Sequence, residues 1–329
     1  MLAMASSLPV ARPALGPAFR HWRAFDCGFR LVTLTATVAV LVLLVGIMIA
    51  LIKGAAPAFA AFGPHFLVDS SWNPVIEKFG ALAPIYGTAV TSFIAMLIAA
   101  PLGLGIAMFL TEICPTRLRR PISIAIELLA GIPSIIYGMW GLFVLAPVLQ
   151  NTVQPVLIGL FARVPGLSAL LAGPPYGIGV LTAGLILAIM VLPLITSVAC
   201  DVFATAPAVL KEAAYGVGAT TWEVFRHVVL PYARVGVIGA MMLATGRALG
   251  ETMAVTFVVG NAHRISGSLL APGTTISATI ANEFTEAVGE RYGAALMALA
   301  LILFAITFVV LAAARLLLLH AGQQTGQRP

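Results

Sequence analysis

The sequence predicts an all-α integral membrane protein: six transmembrane helices with one folded polar loop on the inner face. Three observations carry that reading. Hydrophobic residues make up 60% of the 329-residue chain and charged residues only 9%, against roughly 25% charged in soluble domains. Six apolar stretches, at about 31–53, 84–110, 122–149, 176–199, 233–259 and 292–319, reach the ~20 residues that a spanning helix needs. The Lys and Arg residues also fall unevenly on the two sides of that layout.

Each element follows from its composition. Residues 1–30 are rich in Ala, Pro and Arg without periodicity, which predicts a cytoplasmic N-terminal arm. The first apolar run is longer than the 7–15 residues of a signal-peptide core, so Ala58-Phe59-Ala60 is not read as a cleavage site and the run is read as a retained span. Residues 54–83 form an outer segment with the interfacial Trp72 and the helix breakers Pro64, Pro74 and Pro84. A short basic inner link at 111–121 follows the second span. The outer loop 150–175 carries Pro155, Pro165, Pro174 and Pro175, and a third outer loop covers 260–291. The membrane-spanning domain is thus 31–319, followed by a cytoplasmic tail at 320–329. The apolar stretches lack strict alternation, and unpaired backbone groups find no partner in lipid, so helices are predicted in all six.

Charge sets the orientation. With the N-terminus inside, Arg12, Arg20, Arg23, Arg30, Arg117, Arg119, Arg120, Lys211, Arg226, Arg234, Arg315 and Arg328 lie on the cytoplasmic side, against Lys53, Lys78, Arg163, Arg264 and Arg291 outside. That is the bias insertion requires, and it explains the net charge of +6 without a nucleic-acid role, which would need a clustered basic surface. Both termini are then cytoplasmic. Cys27, Cys114 and Cys200 all fall on the reducing side, with no paired spacing for zinc or a redox dithiol.

Between the fourth and fifth spans lies a polar island, KEAAYGVGATTWEVFRHVVLP, Lys211–Pro231, within an inner loop at 205–231. Pro207 suits the start of a first short helix. Gly216 and Gly218 end it. Thr220 and Glu223 have capping-box spacing for a second helix, which Pro231 is expected to close. Two helices of about ten residues are too short to span and form a compact knob.

The spacing EAA-x3-G-x9-V-x-L-P, from Glu212 through Ala213, Ala214 and Gly218 to Leu230 and Pro231, resembles the coupling loop of ABC importer permeases, with Val228 in place of the commoner Ile. The stretches Trp72–Phe93, Ile126–Pro147, Gly173–Pro193 and Gly246–Asn261 are together similar to the phosphate-specific transport permeases, C-type rather than A-type, over roughly residues 30–319. The resemblance implies a type I ABC importer permease fold in a bacterial inner membrane. It also implies several partners: a second, A-type permease, two copies of a cytoplasmic ABC ATPase docked on the loops, and a periplasmic phosphate-binding protein. An importer of another oxyanion, such as sulfate or molybdate, and a subunit serving mainly phosphate-status signalling are the alternatives.

Arg247 and Glu251 stand on their own physics. Both fall within the expected fifth span, four residues apart and so on one face of a helix. An ionised Arg at mid-bilayer costs roughly 2.5–3.5 kcal/mol even on the lenient scale, so it must face protein or water. Its planar fork fits phosphate oxygens. Glu251 is expected to partner Arg247 when no anion is present, and the resemblance implies a transport role for both. Glu127 is the other acid expected inside a span, and Ser92, Thr88, Thr252 and Thr256 are hydroxyls that could line a path. No lysine follows a glycine, so the chain has no phosphate-cradling P-loop; ATP and Mg are expected on the partner ATPase, with no cofactor or metal held by this chain. His21, His65, His227, His263 and His320 lie outside the spans or at their ends, which disfavours a proton relay.

Overall fold

The computed structural model describes residues 17–161, 164 and 167–323. Arg12, Arg163, Arg328, the start of the N-terminal arm and the end of the tail lie outside the described residues, as does the side chain of Cys27. The chain divides into two units, residues 1–50 and 51–329.

The described part of the first unit is helical: it belongs to α1 (Pro17–Phe62), which begins within the segment expected as an arm and ends in the second unit. Its large apolar side chains from Leu31 to Ile47 are exposed, as a lipid-facing helix requires.

Among the described residues the second unit is mainly helical, with loops and one hairpin whose strands have two residues each, β1 (Trp72–Asn73) against β2 (Lys78–Phe79). α2 (Leu82–Met108) runs on through a π turn, Phe109–Ile113. α3 (Thr116–Ala130) and α4 (Ser134–Trp140) follow, then two further π turns leading into α5 (Gln154–Phe161). α6 (Val180–Ala204) is the most enclosed span among the described residues. α7 (Ala208–Gly216) and α8 (Thr221–Val224) form the polar loop. α9 (Leu230–Gly250), α10 (Met253–Val258), α11 (Ile276–Glu283) and α12 (Glu290–Gln323) complete the chain. Six helices among the described residues are long and apolar enough to cross a membrane, at 28–62, 82–113, 134–161, 180–204, 221–250 and 290–316.

Small residues let these helices approach closely. Ala95 and Ala99 of α2 are fully buried with Ala183 and Ala188 of α6, and Ile186, Leu187, Val191 and Ile195 fill the seam. Without a hydrophobic drive between helices in lipid, such close van der Waals contact is what holds a bundle together.

Two expected spans are broken rather than continuous. The third was read as one helix over 122–149. The structure instead stops α3 at Gly131, and Pro133 adopts ψ 137° as the cap of α4. Proline disfavours helical geometry in the residue before it and lacks an N–H of its own, so the ladder cannot cross this point. The carbonyl of Leu129, at the end of α3, accepts the Ile132 N–H at 3.3 Å and also the Tyr137 hydroxyl at 2.8 Å, which ties α4 back to the end of α3. The fifth span, expected over 233–259, breaks at Glu251–Thr252 between α9 and α10. α4 packs directly on α10, so the elements that follow the two breaks lie side by side.

Proline has a second signature here. The π turns Phe109–Ile113, Gly141–Leu145, Leu149–Val153 and Phe225–Val229 each end two residues before a proline: Pro115, Pro147, Pro155 and Pro231. At the last three the helix continues through the proline, the π turn widening it where the ring would strike a carbonyl of the preceding turn, and such local adjustments are how spanning helices tolerate proline; Phe109–Ile113 instead ends its helix, with Cys114 at ψ 130°.

Candidate functional site: the polar loop and the broken fifth span

The polar loop folds as its caps dictate. Pro207 caps α7 with extended ψ, and the helix ends at Gly216. Gly218 turns the chain at φ +90°, a conformation open to glycine without a Cβ penalty. Thr220 then closes a full capping box. Its Oγ1 accepts the Glu223 N–H at 3.4 Å, while its own N–H and hydroxyl donate to Glu223 Oε2 at 2.8 Å. One expectation fails: Pro231 does not close the second helix. The backbone passes from α8 through the π turn Phe225–Val229 straight into α9, so the loop's second helix is the base of the fifth span. The π turn accommodates Pro231 and lets the helix continue.

Beneath the loop Phe225 meets Phe203 edge to face at 5.1 Å, among buried Val224, Val229 and Ala206. Lys211 reaches Glu112, at the end of the second span, with Nζ–Oε1 2.6 Å; the two side chains are only 19% and 6% exposed. Of the motif residues, Glu212, Ala213, Gly218 and Pro231 are exposed and Ala214 and Leu230 are half-buried. Around them Val217 is 87% exposed, Val209 74% and Trp222 55%. An apolar rim on a rigid polar knob, at the end of a helical bundle, has the composition of a protein-docking surface.

Arg247 sits in the last turn of α9. Glu251, four residues on, lies beyond the helix, with ψ 130°. The expectation that the two share one helix face is therefore corrected, because i, i+4 neighbours meet only on a continuous helix. Nor do they pair in this structure: Glu251 Oε1 accepts the Ala254 N–H at the start of α10 (3.3 Å), and its carbonyl accepts the Ser277 hydroxyl (2.7 Å). The exposed Arg247 guanidinium makes no ion pair among the described residues. The hydroxyls named with them are mostly engaged with backbone. Thr88 donates to the Pro84 carbonyl, Thr252 to that of Gly250 and Thr256 to that of Thr252. Ser92 Oγ is buried without a partner. Glu127 lies exposed on α3, at a cavity of about 140 Å³ shared with Arg119, Ser123 and Asp201. Among the described residues no three His, Cys, Asp or Glu side chains gather as metal ligands would.

At the end away from the loop is a cluster that sequence pattern did not reveal. Trp72 stacks on His263 (5.2 Å between ring centres), and its Nε1–H donates to Glu283 Oε2 at 3.3 Å. Tyr292 donates to the same carboxylate oxygen, and His263 Nε2 lies 3.4 Å from Oε1. Burial pushes the His263 pKa down, with Glu283 opposing. Nearby, the Ser71 hydroxyl and N–H, with Lys78, hold Asp69 at about 2. Four residues from four separate segments meet here, and no periodicity in sequence links them. The Lys211–Glu112 pair was hidden for the same reason.

Known proteins share this architecture. The family described as "Binding-protein-dependent transport system inner membrane component" matches residues 99–318. The phosphate transport system permease protein PstC of Mesorhizobium japonicum is 63% identical over 99% of this chain and its own full length. The protein of the same name from Pasteurella multocida is 53% identical over 91% of this chain and 93% of its own. Among solved structures, an inward-facing form of the MetNI methionine ABC transporter covers 76% of this chain and 99% of that one at a TM-score of 0.54 and 16% identity. A bacterial ABC transporter involved in import of the acidic polysaccharide alginate covers 92% and 99% at 0.52 and 17%. At those identities the structural likeness speaks to the fold alone, the type I permease fold.

Proposed function

This chain belongs to the binding-protein-dependent transport system inner membrane components, in the branch of PstC-type phosphate permeases, and from that premise we propose that it is the membrane-spanning subunit of an ATP-driven importer carrying inorganic phosphate from periplasm to cytoplasm. It is a multi-pass transport permease and not an enzyme. The Lys and Arg asymmetry supports an orientation with loop 205–231 and both termini in the cytoplasm. An A-type permease completes the pore, and a periplasmic phosphate-binding protein delivers the anion. Two copies of an ABC ATPase, which hold the ATP and Mg, dock on the coupling loops around Glu212, Ala213, Ala214, Gly218, Leu230 and Pro231. ATP binding then shifts the population between inward- and outward-open states through the loop.

The observation that carries the cargo assignment is the full-length likeness to phosphate permeases, joined to a guanidinium at the broken fifth span that makes no ion pair among the described residues. Arg247 offers phosphate a planar, bidentate cation. Glu251, tied to the first turn of α10, puts a carboxylate nearby that disfavours prolonged residence of the anion. Replacing Arg247 by Gln keeps the size and removes the charge. A charge-assisted hydrogen bond contributes roughly 1.5–3 kcal/mol, so uptake of labelled phosphate should fall by about tenfold or more while the complex assembles normally. Undiminished uptake refutes the role of Arg247. Competition by sulfate as strong as by unlabelled phosphate refutes the choice of anion.

A further inference from the structure

We infer that the Glu112–Lys211 ion pair is a strut: it passes movement of the coupling loop into the second span and, through that span, to the backbone around Glu251. The inference rests on the permease reading for the role of the loop. Its geometry is separate.

α7 packs chiefly on the loop's own second helix and the π turn beneath it. Its charged tie to the rest of the bundle is Lys211 Nζ on Glu112 Oε1, at 2.6 Å and largely out of solvent. Glu112 is held in the π turn that ends the second span. A buried ion pair is a weak source of net stability, yet removing one partner strands the other charge. The pair therefore acts as a stiff, directional link, since the two groups cannot separate in a dry site without penalty.

The far end of the same helix is equally tied. α2 is 27 residues long, about 40 Å at 1.5 Å per residue. In its first turns Thr88 Oγ1 accepts the Ile276 N–H at 2.9 Å, and Gly87 lies against the Thr274 carbonyl. One residue beyond Ile276, the Ser277 hydroxyl holds the carbonyl of Glu251 at 2.7 Å. Lys211, Glu112, α2, Thr88, Ile276–Ser277 and Glu251 thus form a continuous mechanical path from the ATPase-facing knob to the break in the fifth span. Glu112 and Lys211 are positioning residues in it. They touch neither anion nor nucleotide.

The test uses the complete transporter in liposomes, with its binding protein and ATPase. The decisive variant is the double neutral change Glu112→Gln with Lys211→Met, which leaves no buried charge unpaired. It should assemble and keep basal ATP hydrolysis. Stimulation of hydrolysis by the phosphate-loaded binding protein, and phosphate moved per ATP, should both fall by about tenfold, within the usual range of coupling between sites. The exchanged pair, Glu112→Lys with Lys211→Glu, should recover much of the loss. Full stimulation in the double neutral variant overturns the strut, as does an exchanged pair no better than the neutral one. A double neutral variant that fails to assemble also overturns it, marking the pair as a folding element. A wild-type complex that responds to its binding protein but moves no phosphate refutes the cargo assignment instead, and the stimulation ratio still decides the strut.

Discussion

Gly87→Ala offers a sharp test of how the second span meets the segment beside Glu251. A Cβ on Gly87 would lie 1.8 Å from the Thr274 carbonyl oxygen and 2.9 Å from its carbon, both backbone atoms that no rotamer change can move. To reach ordinary contact the helix and the 274–277 segment must part by more than an ångström. The Thr88–Ile276 bond, 2.9 Å long and one residue away, cannot survive that shift. Overpacking costs about 1–3 kcal/mol, and an unsatisfied buried amide adds about 1–3 kcal/mol, so the total is about 2–6 kcal/mol. Gly105→Ala, in the same helix, is the control, because its Cβ would meet nothing within 4 Å. Thermal unfolding of the purified protein in detergent should show a marked drop for Gly87→Ala and little change for Gly105→Ala. Phosphate uptake should fall with the first only. If the two variants melt together, the tight seam between α2 and the Thr274 backbone is wrong.

Three further outcomes follow from the described contacts. Thr220→Ala removes the cap acceptor and should cost the loop about 0.5–2 kcal/mol, read as faster hydrogen exchange over residues 219–226 with the spans unaffected; unchanged exchange would count against the capping box. Phe225→Ala deletes the ring that seats on Phe203 and should destabilise by about 3–5 kcal/mol; it should weaken ATPase co-purification while membrane insertion persists, and normal co-purification would refute the idea that this packing shapes the knob. His263 titrates below its ordinary 6.5 because of burial, so the unfolded state binds the extra proton first. The stability it contributes is present above pH 6.5 and lost as pH falls through the lower folded value. Acidification should therefore loosen residues 72–79 and 261–265 in hydrogen exchange, and a His263→Phe variant should lack that pH step.

Much of the fold was legible because lipid leaves few options. Run length predicted six spans and six are present among the described residues, though the third begins at Ser134 rather than 122 and the fifth ends at Gly250 rather than 259; the Thr220–Glu223 spacing located the start of the second loop helix to the residue. What escaped was where helices fail. Pro133 falls inside the run expected as one helix over 122–149 yet acts as a terminus, with turn bonds from Gly131 and Ile132 closing the end of α3 and the Tyr137 hydroxyl bridging the break. Pro231 was read as a stop, yet a π turn absorbs it. Glu251 was placed on a helix because nothing local to Gly250-Glu251-Thr252 announces extended geometry; the break is held from outside, by Ser277. The Lys211–Glu112 pair and the Trp72, His263, Glu283, Tyr292 cluster join residues far apart in the chain, and a one-dimensional pattern carries no trace of such meetings.

The π turn before Pro231 sets a compass bearing. A π turn is in effect one residue inserted into an α-helix, and one residue corresponds to about 100° of rotation. Were the turn to rewind to α geometry, everything above it in α9 would swing by about that angle relative to the knob below. The guanidinium of Arg247, 16 positions beyond Pro231, would then look out from a different side of its helix. The direction in which that charge faces is thus fixed in part by a ring at the opposite end of the span, which cannot donate a hydrogen bond.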